Sequence, residues 1–409
     1  MNRHHHQRGI TLVLVAVAIL ALIAIAGLAL DVAHVVLDKA RIQATVDAAA
    51  VTGAKVLDNT GSRAQARAAI DLVFAINAVH DRELARAGVI PVVQFSRNPN
   101  FFGFGGGAPR YVRVTAGGFG VAATLSRVVG MREFELNAQA VAGPSPTLSN
   151  ACNVTPLMVC GTAPTPAAPV YGYAVGQVVG LQLSSGTPPP SAANGSYLTL
   201  SSGAGTQDQD FAGSYANCSS VGNAPFSSTG TVPTLIAQGL DTRFDEYFAG
   251  DLNSGTYPPD VIITQPTGLD QLLCAPGPGN SCTVVNGNGV QITTSSQIPA
   301  YNYENMYLPR VQAGAYDIPP APGGIGVVNR RVLAVPVGDC GAATPVGGPV
   351  PILGFACVFT LQEVDPATGQ LFGEVLQNCQ VNGTPGAFPN NAPGPYSIEL
   401  YHVTGSPQS

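Results

Sequence analysis

The chain has 409 residues, a formal net charge of −6, only 10% charged residues and no tryptophan. Residues 1–149 hold 14 Lys and Arg against 9 Asp and Glu, whereas residues 150–409 hold 4 against 15 and contain no lysine. So acidic a second part lacks the basic side chains that displace counterions from a phosphate backbone, which excludes nucleic acid as a partner.

The first element is Ile10 to Leu30, ITLVLVAVAILALIAIAGLAL, 21 residues without a charge. At 1.5 Å per residue a helix of this length crosses the hydrocarbon core of a bilayer, where backbone polar groups must be satisfied within the segment. A cleaved secretory signal is the rival reading, with Ala24-Ile25-Ala26 as its small-residue site. The apolar run exceeds the roughly 7–15 residues of such a signal, and Leu28 and Leu30 continue past the site. The sequence therefore predicts a retained transmembrane helix in contact with the lipid bilayer. Arg3 and Arg8 precede it closely, while Lys39 and Arg41 follow more than two turns beyond it. This predicts a cytoplasmic amino terminus, residues 1–9, and export of everything after residue 30.

Asp31 to Leu57 contains no proline and many good helix formers, so the helix is predicted to continue outward. Val35, Ile42, Ala49 and Val56 recur every seven residues as a narrow apolar seam, and Ala49 with Gly53 would let a neighbouring backbone approach. The seam suits either packing on the following part of the chain or a homo-oligomer. His34 and Asp38 share a face and read as a surface hydrogen-bonded pair, since no third metal ligand follows. A second helix is predicted at about Ser62 to Arg86. Strands at Val89 to Ser96 and Tyr111 to Ala116, a short helix at Val121 to Val129 and a strand at Arg132 to Ala142 complete a module that ends at Pro144-Ser145-Pro146. The glycine-rich stretch Phe101 to Gly107 lacks the GK[ST] of a phosphate-binding loop and reads as a plain connection.

Beyond residue 149 lie 29 of the 34 prolines and all eight cysteines, Cys152, Cys160, Cys218, Cys274, Cys282, Cys340, Cys357 and Cys379. An even number confined to the exported part predicts disulfides formed in an oxidising compartment, and the absence of CxxC spacing argues against zinc. Cys152 with Cys160 and Cys274 with Cys282 are close enough in sequence to suggest local loops. Apolar clusters such as Val261-Ile262-Ile263 and Val332-Leu333-Ala334-Val335 predict a folded, loop-rich β domain.

Candidate chemistry is sparse. The one histidine beyond residue 149 is His402, in a stretch, Glu399 to Val403, that reads as a terminal strand, and no GxSxG nucleophile elbow occurs. Asp208 and Asp210 read as a solvated loop without calcium-binding spacing. Asp241, Asp245, Glu246 and Asp251 form a further acidic group, while Tyr301, Tyr303 and Tyr307 cluster in a loop-like stretch. Arg243, bracketed by Asp241 and Asp245, reads as a structural ion-pair partner, and Arg330-Arg331 likewise. No catalytic residue, cofactor site or metal site is assigned.

Arg8 to Leu57 resembles the amino-terminal segment of the TadE/TadG-like Flp pilus-assembly proteins. The likeness rests on the basic residue and glycine before the span, on Leu30-Asp31-Val32, on Ala40-Arg41-Ile42-Gln43-Ala44, on Asp47-Ala48-Ala49-Ala50 and on Gly53-Ala54. It implies a structural role for Asp31, Arg41, Gln43 and Asp47. Val112-Arg113-Val114, Leu125 to Gly130 and Ala138 to Ala142 look like the strand, helix and strand that close this module in TadG-type members. Cys152 to Cys160, Leu240 to Asp245 and Asn329 to Leu333 look more loosely like landmarks of TadG-related proteins without an integrin-type domain. Two departures stand out: Gly9 is followed five residues on by Leu14, where a pilin processing site has glutamate, and no DxSxS motif of a von Willebrand type domain occurs.

The sequence thus predicts an α+β chain: cytoplasmic residues 1–9, a transmembrane helix at 10–30, a small helix-plus-sheet module at 31–148, and a β-rich, disulfide-bearing exported domain at 149–409. The resemblance implies a non-enzymatic assembly component of a Tad-type pilus in the bacterial inner membrane, with other pilus-assembly components as partners. An extracellular binding module is one alternative, expected to show an aromatic groove. An envelope hydrolase is another, requiring His402 or a carboxylate pair in a cleft.

Overall fold

The computed structural model describes residues 8–80, 90–102, 107–122, 127, 133–162, 170–184, 196–200, 205–228, 231–248, 250–277, 281–340, 347–386 and 392–402. It forms two compact units, residues 1–143 with 399–409, and residues 144–398.

The first unit begins with α1, Arg8–Thr60, one uninterrupted helix of 53 residues, so the apolar span does continue outward. It stops at Gly61, whose φ of 63° and N–H bond to Leu57 O at 2.7 Å close the last turn. Ser62 then caps α2, Arg63–His80, its Oγ accepting from Gln65 N at 3.3 Å. Residues 81–86 of the expected second helix lie outside the described residues. Ile42, Val46, Ala49, Ala54 and Leu57 of α1 are buried, as are Ala66, Ile70 and Phe74 of α2. A Cβ on Gly53 would stand 2.5 Å from Ile70 Cδ1, so the glycine is what lets the helices touch. The heptad seam is thus largely covered by the chain itself: Ile42 and Ala49 are buried, and Val35 and Val56 are half-buried.

The sheet of this unit has the order β1-β2-β3-β17, from β1 (Val92–Ser96), β2 (Tyr111–Ala122), β3 (Glu133–Pro144) and β17 (Ile398–Tyr401). The register of β2 against β3 shifts between Ala116 and Phe119, where Gly118 takes a φ of 72°. The helix expected at Val121 to Val129 is corrected at its start: Val121 and Ala122 pair with Phe134 and Glu133 as strand, because a cross-strand partner outweighs weak local preference. Residues 123–126 and 128–130, like the glycines at 103–106, lie outside the described residues.

The second unit is built on a closed barrel of six strands. These are β5 (Leu157–Cys160), β6 (Val178–Leu183), β7 (Ser196–Thr199), β11 (Val332–Gly338), β12 (Ile352–Thr360) and β13 (Leu371–Leu376), ordered β11-β12-β13-β6-β7-β5. Two pairings, β11 with β5 and β6 with β7, are parallel. Opposite faces of these strands feed separate apolar clusters: Leu333, Val335 and Val337 join Val159, Leu181, Tyr197 and Val358, whereas Ala334 joins Met158, Phe355, Cys357 and Phe359. Burial on both faces explains why these strands read as continuous apolar runs rather than alternating ones. Around the barrel lie β4 (Leu148–Cys152) between β8 (Cys218–Ser220) and β15 (Asn382–Pro385), the hairpin of β9 (Leu272–Pro276) and β10 (Cys282–Asn286), and the parallel pair β14 (Asn378–Gln380) and β16 (Gly394–Tyr396).

The cysteines form four disulfides, Cys152–Cys218, Cys160–Cys340, Cys274–Cys282 and Cys357–Cys379. The local Cys274–Cys282 loop suggested by the sequence is present; the Cys152–Cys160 loop is not. Cys152 lies directly opposite Cys218 in the β4–β8 pair, while Cys160 ends β5 beside β11, just before Cys340. The tyrosine stretch is also not a loop. Tyr303 to Tyr307 forms a helical turn leading into the helix Leu308–Ala313, with Pro309 in its first turn, and Tyr307 is fully buried.

Candidate functional site

Two regions carry the residues singled out by the sequence: the outward half of α1, and a set of buried arginines beside the barrel.

On α1, the side chains from Leu12 to Leu30 stand almost wholly exposed, Leu12 at 74% and Ile25 at 66%, although they are among the most apolar in the chain. It is the one helix among the described residues long and apolar enough to cross a membrane. Exposure reverses at the polar positions. Asp31 and Asp38 are buried, at 3% and 7%, and Asp38 forms an ion pair with Arg41 at 3.5 Å rather than pairing with His34, which is exposed. Gln43 Nε2 donates both to Asp47 Oδ1 at 2.7 Å, one turn along the helix, and to Gln139 O of β3 at 3.0 Å. Lys39 Nζ donates to Asn137 O at 2.7 Å. The polar residues of α1 therefore clip the helix to its own sheet. Sequence reasoning found Gln43 and Asp47 but missed Lys39 and the β3 carbonyls, which no spacing along the chain announces.

In the second unit Arg243 is 4% exposed and finds backbone carbonyls rather than the expected carboxylate. Its Nε donates to Arg330 O at 3.0 Å, and Nη1 to Phe211 O at 2.8 Å and Gly239 O at 3.3 Å. Arg330 donates from Nε to Pro258 O at 3.0 Å and from Nη2 to Ala212 O at 2.7 Å. Arg331 is fully buried, with its guanidinium 4.5 Å from the ring centres of both Phe244 and Phe359. It donates to the carbonyls of Ile262, Thr264, Thr360 and Leu361 at 2.7–3.1 Å. Two chain segments distant in sequence are thereby fastened to one side chain. Its charge partner is Asp260, whose carboxylate accepts from the backbone N–H groups of Ile262 and Arg331 and from Tyr307 Oη at 2.8–3.0 Å. Burial pushes the Asp260 carboxyl up to about 6, against the pull of Arg331 and these hydrogen bonds. Asp241, which accepts from Val364 N at 2.9 Å, is pushed up to about 8, mainly by burial. The sequence singled out Arg243 and Arg330-Arg331 as structural ion-pair partners, but nothing in the apolar run around Asp260 marked it as the carboxylate that Arg331 meets.

Arg243 and Arg330 line a cavity of about 310 Å³, together with Asn153, Asp210, Gly213, Tyr215, Asn329, Gln380 and Asn382 among others.

The remaining candidates do not converge. Asp208 lies in a helical turn and is 5% exposed rather than solvated, because this turn packs against the helix Pro233–Asp241. Asp251 accepts from Gln209 Nε2 at 2.8 Å, and Asp245 holds a left-handed turn with φ 69°. His402 is exposed and follows β17, which ends at Tyr401. Among the described residues no group of three His, Cys, Asp or Glu side chains is placed to hold a metal ion.

No curated protein and no solved structure matches the chain. Residues 9–56, almost the whole of α1 from the start of the apolar span to the packed seam, match the family described as "Putative Flp pilus-assembly TadE/G-like".

Proposed function

We propose that this chain is an anchored, non-catalytic assembly component of a Tad-type pilus, held in the inner membrane by residues 10–30 with its amino terminus in the cytoplasm. The observation that carries this is the coincidence of the family match with the exposed apolar face of α1. A lipid environment removes the cost of leaving these side chains uncovered. On this reading the module of residues 31–148 and the domain of residues 149–409 lie outside the membrane, where four disulfides form in an oxidising compartment. Other pilus components are the partners, and the exported bulk supplies a surface to them.

The test is deletion of the coding region followed by counting surface fibres, with complementation by the full chain and by a version lacking residues 149–409. Loss of fibres restored only by the full chain supports the proposal. Normal piliation after deletion removes it.

A further inference from the structure

The cavity between Arg243 and Arg330 has an unbalanced charge. Its lining brings two guanidiniums to one carboxylate, Asp210, in a unit whose surface is otherwise acidic. Backbone carbonyls occupy Nε and Nη1 of Arg243, and Nε and Nη2 of Arg330. Among the described residues, the remaining terminal nitrogen of each, Nη2 of Arg243 and Nη1 of Arg330, has no hydrogen-bond partner. Carbonyl dipoles satisfy donors but do not cancel charge, and three buried arginines, Arg243, Arg330 and Arg331, share the single buried carboxylate of Asp260 as an attracting charge. Burial and the neighbouring Arg330 together disfavour the charged form of Arg243; Asp241, whose own proton burial holds on, and Asp260, which is shared with Arg330 and Arg331, offset this only in part.

The backbone around the opening is shaped to keep it clear. Gly213 takes a φ of 131°, and a Cβ there would stand 3.4 Å from Arg330 Nη1. Asn153 and Asn329 both adopt left-handed conformations, φ 55° and 62°, which other non-glycine residues rarely hold. Two of the four such residues among the described ones thus fall on one cavity, which Gln380 and Asn382 also line.

We propose that this cavity binds the carboxylate of a peptide segment, the two free guanidinium edges of Arg243 and Arg330 taking the carboxylate and the surrounding amides pairing with the peptide groups that precede it. Guanidinium and carboxylate match in shape and charge, and side-chain amides offer both donors and acceptors to a peptide backbone. An acidic sugar fits less well, because the lining offers one aromatic ring, Tyr215, for stacking. The inference stands independently of any role in pilus assembly.

The test uses the full chain in lipid nanodiscs, titrated calorimetrically with N-acetyl-glycyl-glycine, with its carboxyl-terminal amide and with glucuronate. The expected result is that the free acid binds about tenfold or more tightly than the amide and the sugar acid. Arg330→Gln and Asn382→Asp are each expected to weaken the acid about tenfold. Asn382 is an exposed strand residue, so its variant reads the electrostatics even where loss of Arg330 disturbs folding. Equal binding of acid and amide, tighter binding of glucuronate, no heat from the acid at about 10 mM, or an Asn382→Asp variant that binds as well as the parent would each overturn the proposal.

Discussion

The two units hold themselves together by opposite means. Where α1 meets α2, Gly53 lies against Ile70 and the Ala66 carbonyl, between neighbouring stretches of one helical hairpin in which Ala49, Ala50, Ala54 and Ala66 are buried, with no cysteine in the unit. The barrel unit relies on partners far apart in sequence: Cys160 with Cys340 across 180 residues, and Arg331 with carbonyls 29 to 69 residues away. The first strategy costs little chain entropy to assemble and suits a segment that directly follows a long apolar helix. The second fixes a loop-rich chain with many prolines and glycines, whose apolar strands alone would have to overcome a large ordering cost.

Breaking the long-range partners should separate the units most clearly. Replacing Cys160 and Cys340 by serine is expected to destabilise the barrel unit by about 4–5 kcal/mol, against about 2 kcal/mol for Cys274 and Cys282, whose loop spans 8 residues. Denaturant unfolding followed by limited proteolysis would show the barrel unit cut while α1–α2 stays protected; equal sensitivity of both units would refute the contrast. Arg331→Ala strands four backbone carbonyls and empties the space between Phe244 and Phe359, for an expected loss of about 3–4 kcal/mol in the same assay.

In the first unit the corresponding break is steric. Gly53→Val would drive side-chain atoms into Ile70 and is expected to cost about 2–3 kcal/mol, read as earlier loss of helix signal on heating, with Gly53→Ala milder.

The barrel unit also carries a pH signature. Because the folded-state Asp241 carboxyl is raised to about 8 from an ordinary value of 3.8, the folded form holds a proton that the unfolded chain releases. Its contribution therefore falls as pH rises from about 4 to about 8 and is lowest above that. Asp241→Asn keeps the acceptor for Val364 N–H, should flatten this dependence, and is expected to be more stable than the parent by about 2 kcal/mol at pH 9. A variant whose stability still falls across that window would point to another group. The smallest effect is expected for Gln43→Ala, about 1 kcal/mol, from loss of the bonds to Asp47 and Gln139 O.

The same contrast explains what the sequence disclosed. The extent of α1 was legible because an uncharged run, a seven-residue repeat and the absence of proline all act within one segment. The existence of a β-rich second part followed from its apolar clusters, but the barrel order did not, since its parallel pairings join strands separated by long connections. Disulfide pairing was readable only for the eight-residue loop. Arg243 was found as structural, yet its carbonyl partners and the burial of Arg331 against Asp260 depend on tertiary neighbours that no local pattern encodes. Even β17, which reads as the last strand of the exported part, joins the sheet beside β3.

The most direct test of the account is protease accessibility in intact spheroplasts expressing a chain tagged at its carboxyl terminus. Protease added outside should remove the tag and the disulfide-bearing part, leaving a short fragment that contains α1 and stays with the membrane through alkaline extraction. A chain that resists external protease until the membrane is broken, or that leaves the membrane on alkaline extraction, would contradict it.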